Sequence, residues 1–170
     1  MDFLARKIAP QKWTPGPGEG EIPADAVTAD LRTSDNDLSM WECSGHADPL
    51  TLEAVALALA SGSDRVDKVQ IVWISKEDLQ TVGVTMEPTK GATPVESLSK
   101  RHVDLRGLDY VRLGSVAKLV AQAVAKKQVH LFRQPQVIKL LADAVKQNAL
   151  SAGQLKLKVR EDVEASLAKT

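Results

Sequence analysis

The stretch Lys68-Val69-Gln70-Ile71-Val72-Trp73-Ile74 constrains this chain more than any other. It is short, rich in β-branched residues and almost wholly apolar. A strand with one solvated face alternates apolar and polar side chains, so a run without alternation reads as a central strand buried on both faces.

Weaker signals surround it. Val27 to Arg32 alternates, with Val27, Ala29 and Leu31 on one side and Thr28, Asp30 and Arg32 on the other, as a half-buried strand would. Ser34-Asp35-Asn36-Asp37 is turn chemistry, and Leu38 to Cys43 reads as a second strand, so the two form a β-hairpin. Asp48-Pro49 pairs an N-cap residue with a proline at the first helical position, and Leu52, Val55, Ala56 and Leu59 supply the apolar stripe of a helix ended by Ser61-Gly62. Gln80 to Met86 is a candidate strand and Pro88 to Pro94 a loop. Beyond Ser115 the spacing turns helical: Val116, Leu119, Val120, Ala123 and Val124 share one face, and Val137, Ile138, Leu141, Ala144 and Val145 repeat the pattern after Pro135. The last segment fits a helix begun by Ser151 with Gln154 as its capping box. A strand through Leu155, Leu157 and Val159 is the alternative.

Strands first and helices later predict an α+β fold. An N-terminal hairpin and central strands make a small sheet with one helix, followed by about three C-terminal helices. The expected organisation is an N-terminal arm and loop over 1–24, an α+β core over 25–114, and a helical part over 115–170 packed on that core. Within the arm, Phe3, Leu4, Ile8 and Trp13 suit a docked edge strand, and the Gly-Pro-Gly-Glu-Gly stretch within 15–23 is a loop. At 170 residues the chain buries about 70% of its unfolded surface, enough to fold without a metal or a disulfide. The single cysteine, the lack of any apolar run of roughly 18 residues and an N-terminus without an apolar core give the expectation of a soluble, cytoplasmic protein.

Net charge is zero but unevenly spread. Residues 1–100 carry 9 Lys/Arg against 16 Asp/Glu, and residues 101–170 carry 13 against 6, so the halves stand at −7 and +7. Asp30, Asp35, Asp37 and Glu42 crowd the hairpin, with Trp41 among them. Carboxylates that steer an encounter, and an aromatic side chain that anchors it, are what docking on a basic protein requires. The expectation is therefore a non-catalytic protein-binding domain of the inhibitor, immunity or antitoxin kind. It would use Asp30, Asp35, Asp37, Trp41 and Glu42, need no cofactor or metal, and be able to pair as a homodimer.

Two other classes compete. A small enzyme could use Cys43 with His46, a Cys-x-x-His pair on a strand-to-helix loop, or His102 with Asp104. Neither pair carries the local signature of a known enzyme family. A nucleic-acid-binding regulator could use Arg101, Arg106, Arg112, Lys118, Lys126, Lys127, His130 and Arg133, provided that folding gathers them on one surface. Metal sites fit poorly. The thiol and imidazole inventory has one short spacing where structural zinc needs two, and the calcium-like Asp35, Asp37, Ser39 series has Met40 where the turn requires glycine.

Overall fold

An antiparallel sheet forms around the apolar run, and helices cover it on both sides. The computed structural model describes residues 1–13 and 21–168. Among them are six strands: β1 Phe3–Lys7, β2 Leu38–Cys43, β3 Val69–Ser75, β4 Thr85–Thr89, β5 His102–Arg106 and β6 Val129–Phe132. Their order across the sheet is β4-β5-β2-β1-β3-β6, and each adjacent pair is antiparallel. The helices are α1 Ala24–Asp30, α2 Pro49–Ser61, α3 Lys76–Thr81, α4 Glu96–Ser99, α5 Tyr110–Ala125, α6 Gln134–Lys146 and α7 Leu157–Leu167. None of the described helices is long and apolar enough to cross a membrane.

Alternation along each strand sends successive side chains to opposite faces. On the first face Ala5, Trp41, Cys43, Ile71 and Trp73 pack beneath Leu52, Val55 and Ala56 of α2, Val137 and Leu141 of α6, and Val159 and Val163 of α7. On the second face Leu4, Leu38, Met40, Val72, Ile74, Val103 and Leu105 meet Ala26 of α1, Leu79 of α3, and Val116, Ala117, Val120 and Ala123 of α5. The fold is thus mixed α and β in three layers. β3 reads as a continuous apolar run because both its faces are core.

The architecture departs from the expected small sheet with one helix and a helical C-terminal part. The sheet is larger, helices lie on both of its faces, and β6 separates α5 from α6. The N-terminal stretch expected as an arm or edge strand is an interior strand, since Ala5 pairs with Trp41 on one side and with Trp73 on the other. The Gly-Pro-Gly-Glu-Gly loop lies outside the described residues.

The first strand of the expected hairpin is helical. Residues 27–32 fall in and just beyond α1, where Ala24, Ala26 and Ala29 favour a helix and Pro23 stands at its N-cap. Six alternating residues fit a short helix as well as a strand, and burial of Ala26 and Leu31 against the sheet decides between them. The turn itself is present: Ser34 and Asp37 exchange backbone hydrogen bonds across Asp35 and Asn36, both at positive φ. β2 then pairs with β1 and β5 instead of with the segment before the turn.

α2 begins as its capping signal predicts, with the Asp48 carboxylate accepting the Leu50 N–H at 3.2 Å. α5 starts earlier than the apolar periodicity suggests, because Asp109 caps it by accepting the Arg112 N–H at 2.8 Å. The candidate strand at 80–86 divides between the end of α3 and the start of β4. At the C-terminus, Ser151 and Gln154 cap a single 3-10 turn; α7 follows from Leu157, and the alternative strand does not form.

Gly114 gives a direct test of α5. A Cβ added there meets nothing within 4 Å, so alanine removes the helix-interior penalty of glycine without a clash. Gly114→Ala is expected to stabilise the protein by about 0.5–1 kcal/mol, read as a rise in Tm of a few degrees.

Candidate functional site

The strand registers place two ends of the sheet. β1 finishes, and β2, β3 and β4 begin, at a lower margin that also holds the ends of β5 and β6. Asp37 precedes β2 at this margin, whereas Glu42 is near the opposite end of that strand.

The structure does not gather the residues expected to dock a partner into one patch. Asp30 is structural: its Oδ2 accepts the Ala9 N–H and the Trp13 indole N–H, each at 2.8 Å. Glu42 pairs with Lys76 across the upper end, at 2.5 Å. Trp41 is 7% exposed and packs in the first face, where its ring meets His102 edge-on with centroids 4.9 Å apart. Asp37 pairs with Arg106 and also accepts the Gly107 N–H. Asp35 is exposed and has no partner among the described residues.

Part of the acidic character survives at the lower margin. The Arg106 guanidinium lies between three carboxylates: Asp37, Glu87 at 2.9 Å and Asp104 at 4.0 Å. One cation against three anions leaves two negative charges uncompensated, and Asp35 adds another. The same margin carries the first turn of α5, tied to the Ser34–Asp37 turn by the Leu108 N–H donating to the Asn36 carbonyl at 2.7 Å. There Tyr110 is 95% exposed and Val111 77% exposed, while Asp109 and Arg112 pair at 3.1 Å and cancel. Large apolar side chains this bare, beside uncompensated carboxylates, are what a polar-rimmed docking surface presents.

Sequence reasoning missed Tyr110 and Val111, although a signal existed. Asp109 is an N-cap residue type, and a helix begun there puts Val111 opposite Val120 at the helical spacing of about 100° per residue. An apolar residue opposite the buried stripe must face solvent or a partner.

Neither candidate catalytic pair is joined by a hydrogen bond among the described residues. Cys43 has no exposed surface, and burial pushes its thiol up to about 11, against a small opposing effect of a Gly45 backbone hydrogen bond. His46 is exposed and stacks on Trp73 with centroids 5.8 Å apart, and no hydrogen bond joins it to Cys43. A protonated, buried thiol without a base is not a nucleophile at neutral pH. His102 is buried between Trp41 and Thr89, whose Oγ1 lies 2.7 Å from Nδ1; the nearest Asp104 oxygen is 4.0 Å away. Burial holds the His102 imidazole below its ordinary range, Asp104 opposes this, and Arg6 adds to it. His102 is thus held by Trp41 and Thr89 more closely than by Asp104.

The basic residues are dispersed as well. Arg106 and Arg112 are engaged by carboxylates, while Lys126 and Lys127 close α5 at the upper end and Arg133 follows β6 at the lower end. His130 instead belongs to an aromatic group, its ring 4.5 Å from Phe132 and 6.2 Å from His46. Among the described residues no group of three or more His, Cys, Asp or Glu side chains is placed to hold a metal ion. No family model, no curated protein and no solved structure matches this chain.

Proposed function

We propose that this chain is a non-catalytic protein-binding domain that docks a basic partner through its lower margin. The observation that carries the reading is the exposure of Tyr110 and Val111 at the margin that also holds Asp35 and the net negative cluster of Asp37, Glu87 and Asp104 around Arg106. Tyr110 and Val111 are the anchors, in place of Trp41, and the carboxylates steer the encounter. Inhibitors, immunity proteins and antitoxins are built this way, needing a shaped, charged surface and no reactive group.

The test is capture of a partner from host extract by the immobilised chain, with the partner identified by mass spectrometry. Tyr110→Ser combined with Val111→Ser should leave Tm unchanged, because both side chains stand in solvent. The double variant should weaken capture at least tenfold, since anchor truncations cost about 2 kcal/mol or more. Asp35→Asn with Glu87→Gln should slow association at low salt and matter less at high salt. A partner held equally by wild type and by the double variant overturns the reading.

A further inference from the structure

Arg6 is a charged residue in an interior strand, flanked on both sides by hydrogen-bonded neighbours. Its Nε donates to the Asp30 carbonyl at 2.6 Å and its Nη1 to the Ser39 carbonyl at 2.5 Å. Both acceptors are neutral. The Asp30 carboxylate is turned to Ala9 and Trp13 instead, and among the described residues no carboxylate lies within ion-pair distance of the guanidinium. Nη2 has no partner there. Burial lowers the Arg6 pKa to about 10 while Asp30 raises it, so the group is still charged at neutral pH. Arg6 is half-buried, and a partly desolvated charge is normally matched by an opposite charge.

This guanidinium lines a cleft of about 420 Å³, within the size range of small-molecule sites. Ile8, Trp41 and Leu59 give it apolar walls, and exposed Lys7 stands at the rim. Among the described residues, the charged side chains of the lining are Arg6, Lys7 and Asp30, a net of one positive charge. That balance suits a single negative charge and disfavours a dianion beside Asp30.

We propose that the cleft is a binding site for a small organic monocarboxylate, whose carboxylate takes Nη2 of Arg6 while its hydrocarbon or aromatic body lies along Ile8, Trp41 and Leu59. Arg6 is suited to this because a planar guanidinium can donate to a carboxylate from one edge while its other nitrogens stay anchored. The cleft opens at the same lower margin, where its Ser39 hydroxyl donates to Asp104 at 3.2 Å, but Tyr110 and Val111 are not among its lining, so Tyr110→Ser with Val111→Ser should leave its ligand affinity unchanged.

Calorimetric titration of the full chain with benzoate, hexanoate, benzamide and inorganic phosphate tests this. Benzoate or hexanoate should bind saturably in the millimolar range or tighter. Benzamide, of the same shape without the charge, should bind at least tenfold more weakly, and phosphate should not saturate. Arg6→Gln should lower benzoate or hexanoate affinity at least tenfold, and Lys7→Gln about threefold. Should Arg6→Gln fail to fold, the benzoate-to-benzamide ratio in the wild type decides the matter alone. Equal affinity for benzoate and benzamide, tighter binding of phosphate, or no saturable binding of either acid overturns the assignment.

Discussion

Gly91→Ala is expected to destabilise the protein by about 3 kcal/mol, more than a single added methyl group usually costs. A Cβ at this position would stand 2.4 Å from Cη2 and 2.9 Å from Cζ3 of Trp41, and 2.8 Å from Cβ of His102. None of these atoms is the free end of a flexible chain. The indole is held against His102 in the first face, and the His102 Cβ belongs to β5. Nor can the loop retreat cheaply, because the Gly91 N–H donates to the Ser99 carbonyl at 2.9 Å and the Ser99 hydroxyl donates to the Gly91 carbonyl at 3.0 Å. Relief must come from displacing a buried ring or from breaking those bonds, which places the cost at the upper end for overpacking. With a urea m-value of about 2 kcal/mol/M, the midpoint should fall by about 1.5 M. Trp41→Leu in the Gly91→Ala background should recover part of the loss, so the pair deviates from additivity. A midpoint shift under about 0.3 M would show that the loop yields freely.

The legible parts of this fold are those whose signals are local. Asp48-Pro49 marks the start of α2, Pro135 the start of α6, and Val69 to Ile74 the strand β3, each within a few consecutive residues. β1 was not recognisable as an interior strand because its partners are β2 and β3, joined to it by contacts such as Ala5 with Trp41 and with Trp73. Nothing within Phe3–Lys7 records those neighbours, and Arg6 and Lys7 argue locally for an edge. β6 is only Val129–Phe132, too short for any periodicity to emerge between two helices. α1 failed for the opposite reason, since its alternation was real but came from a short helix with one buried side.

The same limit governs the site. Cys43 and His46 are near neighbours in sequence, yet a strand end and a 3-10 turn send one into the core and leave the other on Trp73. Charge counting found an acidic half, and its Asp37 and Glu87 do converge, but on Arg106 and beside Asp104, which both come from the half counted as basic. A tally along the chain cannot anticipate a guanidinium arriving from a distant strand. It also cannot separate an aspartate that ends a helix from one in the turn that follows when their surroundings differ.

Asp30 and Asp35 make that separation measurable. Asp30→Ala should cost about 3 kcal/mol, because it strands the Ala9 N–H and the buried Trp13 indole N–H, each a loss of about 1–3 kcal/mol when no other acceptor replaces it. Trp13 packs in the second core with Ala26 and Leu31, so its indole cannot swing out to water without opening the α1 side of the sheet. Asp30→Asn keeps an amide oxygen for one or both donors and should cost about 1 kcal/mol. Asp35→Asn should fall within about 0.5 kcal/mol of wild type, as the side chain is exposed, has no partner among the described residues, and gives way to a residue that also tolerates the positive φ at this turn. Denaturant unfolding of the three variants orders them directly. Equal midpoints for Asp30→Ala and Asp35→Asn would mean that the two hydrogen bonds to Asp30 contribute nothing to the folded state and that its carboxylate is free to meet a partner after all.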